Sequence, residues 1–134
     1  MELDKAMIVA GIGSRRGVGV EDILAAVAAG MGGAGLPDQV PDVLATGPTK
    51  RGEAAIFEAG QRLQREVRVI EAEFLHAAEP RLLTRSAASQ AATGSPSLAE
   101  AAALAAAGPA GRLLAPRTVC GPVTCAIARD GSGQ

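Results

Sequence analysis

The segment Gly-Ile-Gly-Ser-Arg-Arg-Gly at residues 11–17 is the first whose residue types could bind a ligand. Glycines let backbone N–H groups approach an anion, and adjacent arginines add planar donors that suit carboxylate or phosphate. The spacing departs from the dinucleotide fingerprint by one residue and lacks the order of a P-loop. The candidate ligand-binding residues here are Gly11, Gly13, Ser14, Arg15 and Arg16. A glycine turn within a solvated basic loop explains the same residues without a ligand.

Two later segments have a similar composition, Thr-Lys-Arg-Gly-Glu at residues 49–53 and Thr-Gly-Ser at residues 93–95. The candidate binding residues in them are Lys50, Arg51, Glu53, Thr93 and Gly94. Loops that follow parallel strands emerge at the carboxyl edge of the sheet, where ligands of open α/β sheets bind. We therefore expect these segments to face one crevice. Simple helix capping explains the segment at residues 93–95 equally well.

Two glutamates are the candidates for acid–base chemistry. Glu53 lies at an expected helix start, and Glu100 completes the capping box Ser-Leu-Ala-Glu at residues 97–100. These structural roles already account for both carboxylates. The single histidine, His76, has no recognisable nucleophile motif, and we interpret it as a surface or half-buried residue.

The two cysteines, Cys120 and Cys125, cannot complete a tetrahedral zinc site with one histidine. We expect them to be small buried apolar residues in a reducing compartment. The sequence predicts no metal site and no cofactor.

Hydrophobic periodicity predicts strands and helices that alternate along the chain. Strands are predicted at residues 6–10, 42–45, 67–70, 112–115 and 123–128. Helices are predicted from Glu21 to the glycines at 30–33, at 50–66, around Phe74, at 86–92 and from Ser97 to Gly108. This order favours a three-layer α/β domain with a largely parallel sheet, mixed toward its C-terminal end and flanked by helices.

Composition predicts one globular domain over residues 1–134, with residues 130–134 as a frayed tail. With two Phe and no Trp or Tyr, core volume must come from Leu, Ile and Val spaced by small residues. The formal charge of -1 and the scarcity of aromatic residues argue against nucleic-acid binding. No apolar stretch reaches the length of a membrane span and no secretory signal is recognisable, so we expect a cytoplasmic protein.

Four segments, in order, resemble one known family. They are residues 11–17, Lys50 with Glu53, residues 93–104 and residues 123–128. Together they are similar to the cobalamin-biosynthesis family that includes the stand-alone CobE protein and the C-terminal domain of CbiG. The resemblance implies a small α/β domain that acts in corrin-ring assembly. Within the family, CobE belongs to the aerobic branch of the pathway.

The two-domain relative resembles a hydrolase that opens the ring-A lactone of a cobalt-precorrin and releases acetaldehyde. No segment of this sequence resembles the N-terminal half of that protein. Two positions depart from the family pattern: Ser14 stands where the family often has Cys, and Arg117 where it often has Lys.

Corrin intermediates are flat macrocycles with apolar bodies and carboxylate fringes. The resemblance therefore favours a carrier or accessory factor, in which Arg15, Arg16, Lys50 and Arg51 bind the carboxylates by charge-assisted hydrogen bonds. A precorrin hydrolase that uses Glu53 or Glu100 and, less favoured, a phosphate or nucleotide binder are the alternatives. Association with another subunit or with a pathway enzyme stays open.

Overall fold

The computed structural model describes residues 7–14, 18–47, 54–78, 98–108, 111–115 and 117–130. The strands are β1 (Ile8–Ser14), β2 (Val43–Thr46), β3 (Glu66–Val69), β4 (Arg112–Leu113), β5 (Thr118–Cys120) and β6 (Val123–Arg129). The helices are α1 (Val20–Gly33), α2 (Ala54–Leu63), α3 (Ala72–Ala78) and α4 (Leu98–Ala107).

One mixed sheet connects all of these strands. Its order is β3-β2-β1-β6-β4, and β5 also pairs with β6. The three N-terminal strands are parallel, whereas β6 is antiparallel to β1, β4 and β5. The predicted α/β class, with mixing toward the C-terminal end, is confirmed.

Helices cover both faces of the sheet and form two hydrophobic cores. On one face α1 and α2 pack against Ile12, Leu44 and Ile127. On the other face α3 and α4 pack against Val9, Ala45 and other small residues of the sheet. Much of the second core is alanine contributed by α4.

The first strand is longer than its sequence pattern predicted. We expected it to end at Gly11, but β1 continues to Ser14. Each of its residues has a partner in β6, from Ile8 opposite Arg129 to Ser14 opposite Val123. This long-range pairing overrides the tendency of glycine to end a strand. Gly11 is consequently a buried strand residue and does not lie in a loop.

Other boundaries differ for local or tertiary reasons. α2 ends at Leu63 and does not reach residue 66, because Gln64 adopts a positive φ of 59° and Arg65 N–H donates to the Gly60 carbonyl at 2.8 Å. β5 was not predicted at all, because three residues paired with β6 carry no periodic signal of their own. The helix predicted at 86–92 lies outside the described residues.

The backbone of α4 lies in direct contact with β1. A Cβ placed on Gly11 would overlap the carbonyl oxygen of Ala99 and would lie 2.8 Å from the backbone nitrogen of Ala103. The helix backbone therefore rests directly on the strand backbone at this point. Any side chain at position 11 would push α4 away from the sheet.

We predict that Gly11→Ala lowers the free energy of unfolding by about 1–3 kcal/mol, the usual range for overpacking of a core. Gly32→Ala is the matched control, because no atom of the described residues lies within 4 Å of a Cβ at that helical position. This control is expected to be neutral or stabilising by up to about 1 kcal/mol. Urea denaturation of both variants measures the difference, and wild-type stability of Gly11→Ala would contradict the close contact.

Candidate functional site

The carboxyl ends of β1 and β2 form one edge of the sheet, which we call the carboxyl edge. The strands are parallel neighbours, with Gly11 opposite Ala45. Leu98, the first residue of α4, covers the end of both: its side chain is 3.8 Å from the Cβ position of Gly13 and 2.7 Å from that of Gly47. The N-terminal end of α4 therefore lies at this edge, beside Gly13 and Ser14.

Buried hydrogen bonds fix the carboxyl edge. The Thr46 hydroxyl donates to the carbonyl oxygen of Ile12 at 2.8 Å, and Thr46 is fully buried. The N–H of Ile70 donates to the carbonyl oxygen of Thr46 at 2.7 Å. These bonds join the ends of three strands. Thr46 was not among the predicted site residues, although a polar residue at the end of an apolar run was the available signal.

Most of the predicted binding residues lie outside the described residues. They are Arg15, Arg16, Lys50, Arg51, Glu53, Thr93 and Gly94. Their roles stay predictions. The described residues Ser14 and Gly47 directly precede the segments at 15–17 and 48–53, and both belong to the carboxyl edge. Gly13 also lies at the carboxyl edge, whereas Gly11 lies deeper, beneath α4.

Glu100 lies on the side of α4 that faces β6 and the two short strands beyond it, β4 and β5, which together we call the β6 border. Both short strands pair with β6: Leu113 of β4 is opposite Ala128, and Thr118 of β5 is opposite Cys125. Only Ala126 and Ile127 of β6 lie between these two pairs, and the described residues Leu114, Ala115 and Arg117 belong to neither β4 nor β5, so this border of the sheet is interrupted.

The Glu100 carboxylate compensates for that interruption. The side chain is fully buried, and its Oε2 accepts a hydrogen bond from the N–H of Arg117 at 2.9 Å. A backbone donor that the strand ladder does not satisfy therefore has a side-chain acceptor. The predicted capping partner, Ser97, lies outside the described residues. The hydrogen bond between Glu100, a candidate acid–base residue, and the Arg117 backbone therefore has a structural role.

The family of the C-terminal domain of cobalamin synthesis protein G matches residues 8–128. The chain belongs to this family. It is a CobE/CbiG-like protein of cobalamin biosynthesis, as the resemblance of its motifs indicated. No curated protein matches the sequence.

Solved structures of this family superpose well on the chain. CobE, a protein from the cobalamin (vitamin B12) biosynthetic pathway, is 36% identical with a TM-score of 0.84, covering 93% of this chain and 91% of its own. Cobalamin biosynthesis protein chiG from Agrobacterium tumefaciens str. C58 is 45% identical with a TM-score of 0.73, covering 91% and 97%.

A cobalamin biosynthesis protein G homolog from Sulfolobus solfataricus is 22% identical, with a TM-score of 0.70. The alignment covers 92% of this chain and 37% of that larger protein, and it shows a shared fold.

The remaining chemically active side chains of this CobE/CbiG-like protein are dispersed. His76 is exposed on α3. Cys125 is buried, and a Cβ on Gly30 of α1 would lie 2.9 Å from its Sγ, whereas Cys120 is half-buried. The described residues contain no group of three His, Cys, Asp or Glu placed to hold a metal ion. In the same ranges, no helix combines the length and apolar character needed to cross a bilayer.

We predict that removing the Glu100 carboxylate destabilises the fold. Glu100→Ala leaves the Arg117 N–H without its acceptor in a buried setting, which costs about 1–3 kcal/mol. Glu100→Gln keeps a carbonyl oxygen of similar reach and is expected to lose less. Urea denaturation compares the variants, and amide hydrogen exchange at Arg117 is expected to accelerate in Glu100→Ala. Equal stability of the Ala and Gln variants would contradict the hydrogen bond as the cause.

We predict that Cys125 resists alkylation in the folded protein. Burial raises the pKa of its thiol to about 12, so at pH 8 the reactive thiolate is absent and the sulfur is covered. Cys120 is the internal control and is expected to react first. Mass spectrometry after brief iodoacetamide treatment at pH 8 distinguishes the sites, and equal labelling of both cysteines would be inconsistent with the packing of α1 on β6.

Proposed function

We propose that this chain binds a corrin or precorrin intermediate of cobalamin biosynthesis and acts as a carrier or accessory factor. The observation that carries the proposal is the carboxyl edge. Ser14 ends β1 and Gly47 directly follows the neighbouring strand β2, and the two basic segments continue from them. The N-terminal end of α4 adjoins Gly13 and Gly47. Family membership supplies the pathway, and the edge supplies a place where anion-binding groups can meet.

Electrostatics supports an anionic ligand at this edge. The N-terminal end of a helix carries a partial positive charge, and α4 directs that end toward Gly13 and Gly47. Arg15 and Arg16 follow β1 in sequence, and Lys50 and Arg51 follow β2. We propose that these four cations bind the peripheral carboxylates of the macrocycle. The whole chain has a formal charge of only -1, so the selectivity for an anion must come from this local arrangement.

A carrier role is favoured over hydrolysis because of Glu100. Of the two glutamates that the sequence offered for acid–base chemistry, this one is buried and hydrogen-bonded to the backbone of the β6 border. Glu53 stays a candidate contact to the ligand. A cytoplasmic location and association with a pathway enzyme or with a second subunit belong to the same proposal.

The test is a titration of the purified protein with hydrogenobyrinic acid, followed by the shift in corrin absorbance. Arg15→Ala and Lys50→Ala are each expected to raise Kd by about tenfold or more, since each removes a charge-assisted hydrogen bond. Arg112→Ala is the matched control: this exposed arginine pairs with Arg129 at the opposite edge of the sheet and is expected to leave Kd unchanged.

Analysis of the same samples by chromatography distinguishes a carrier from an enzyme. Recovery of the ligand intact supports the carrier. A second titration uses a precorrin that retains its lactone; conversion of that compound by the protein alone would replace the carrier proposal with hydrolysis. Absence of binding by the wild-type protein to either compound would refute both.

A further inference from the structure

We propose that the flat apolar body of the ligand lies on a row of three residues at the carboxyl edge, Gly13, Thr124 and Val119, which we call the edge row. This inference rests on the proposed function and specifies which surface of the protein recognises the macrocycle itself. The basic segments account for its carboxylates, whereas the edge row accounts for its apolar face.

Strand register places the three residues side by side. Gly13 of β1 is opposite Thr124 of β6, and Thr124 is opposite Val119 of β5. Residues directly opposite each other in antiparallel strands project from the same face of the sheet. Ile12 and Cys125, which alternate with them, belong to the core under α1 and α2. The edge row therefore lies on the α4 face of the sheet.

The edge row begins beside the N-terminal end of α4. Leu98, in the first turn of α4, is 3.8 Å from the Cβ position of Gly13. Beyond that turn, Thr124 is half-buried, and Val119 is 64% exposed, the most exposed large apolar side chain among the described residues. The exposed apolar side chain of Val119 thus lies at the same edge as Ser14, after which the first basic segment begins. A planar molecule with an apolar centre and a charged fringe fits this combination.

The described residues give no packing reason for glycine at position 13. Its φ is outside the positive range, and a Cβ there would make only ordinary contacts, at 3.8 Å, with Leu98 and Ala99 of α4. At Gly11, two residues earlier, a Cβ would overlap α4. Glycine within a strand often marks a bulge, a bend, or a site where a ligand or another backbone approaches closely. The one-to-one pairing of β1 with β6 through Gly13 leaves no bulge there. We infer that the space above Gly13 is left for the ligand.

The decisive experiment compares two exposed valines. Val119→Asp places a carboxylate beneath the apolar face of an anionic ligand, and we expect it to raise Kd for hydrogenobyrinic acid by at least about tenfold. Val40→Asp is the control. Val40 is 43% exposed but precedes β2, where Asp42 N–H donates to the Ile8 carbonyl at the opposite edge of the sheet. Its Kd is expected to match that of the wild type.

Gly13→Ala provides a second, smaller perturbation. We expect an unchanged melting temperature together with a Kd raised several-fold, because the added methyl group occupies ligand space and not core space. A lowered melting temperature with unchanged Kd would assign Gly13 to packing and overturn the inference. Wild-type affinity in both Val119→Asp and Gly13→Ala would also overturn it and leave the proposed function intact. Absence of binding by the wild-type protein would refute the proposed function itself.

Discussion

The direct contact of the α4 backbone with β1 at Gly11 is the constraint on which this fold depends. A helix packed on a sheet is normally held away by side chains from both elements, but here a glycine meets two alanines, Ala99 and Ala103. The contact area lost by using small residues is offset by the short separation, which brings many backbone atoms into van der Waals range. The alanines at positions 99 and 103 are thereby explained, because larger residues on this side of α4 would not fit.

A helix held so close to the sheet also determines what lies at its borders. Glu100 follows Ala99 by one residue, so its side chain points along the sheet toward β6 and reaches the backbone of Arg117. A fully buried carboxylate is costly unless it is hydrogen-bonded. The interruption between β4 and β5 provides the donor, and the carboxylate in turn satisfies a backbone N–H. The helix and the irregular strand border therefore require each other, which limits the freedom of either to vary.

The sequence revealed the layers of this fold better than its details. Apolar runs and helical periodicity are local properties, so the α/β class and the mixed C-terminal part of the sheet could be predicted. The end of β1 could not, because glycines at 11 and 13 favour a loop until pairing with β6 is known. β5 could not be predicted either, because its three residues form a strand only through their pairing with β6. At the site, the roles of Thr46 and Glu100 depend on long-range hydrogen bonds, and neither role can be predicted from composition or spacing.

The two glycines of the first motif show why such a motif is ambiguous in sequence. Gly11 and Gly13 are identical in type, lie on the same face of the same strand and are separated by one residue. The first is required by α4, which leaves no room for a Cβ, whereas at the second the described residues leave that room. Packing against the described part of α4 therefore accounts for Gly11 and not for Gly13. Because a strand gains from a side chain wherever one fits, Gly13 is the position of the pattern at which the proposed ligand would need the space of a side chain.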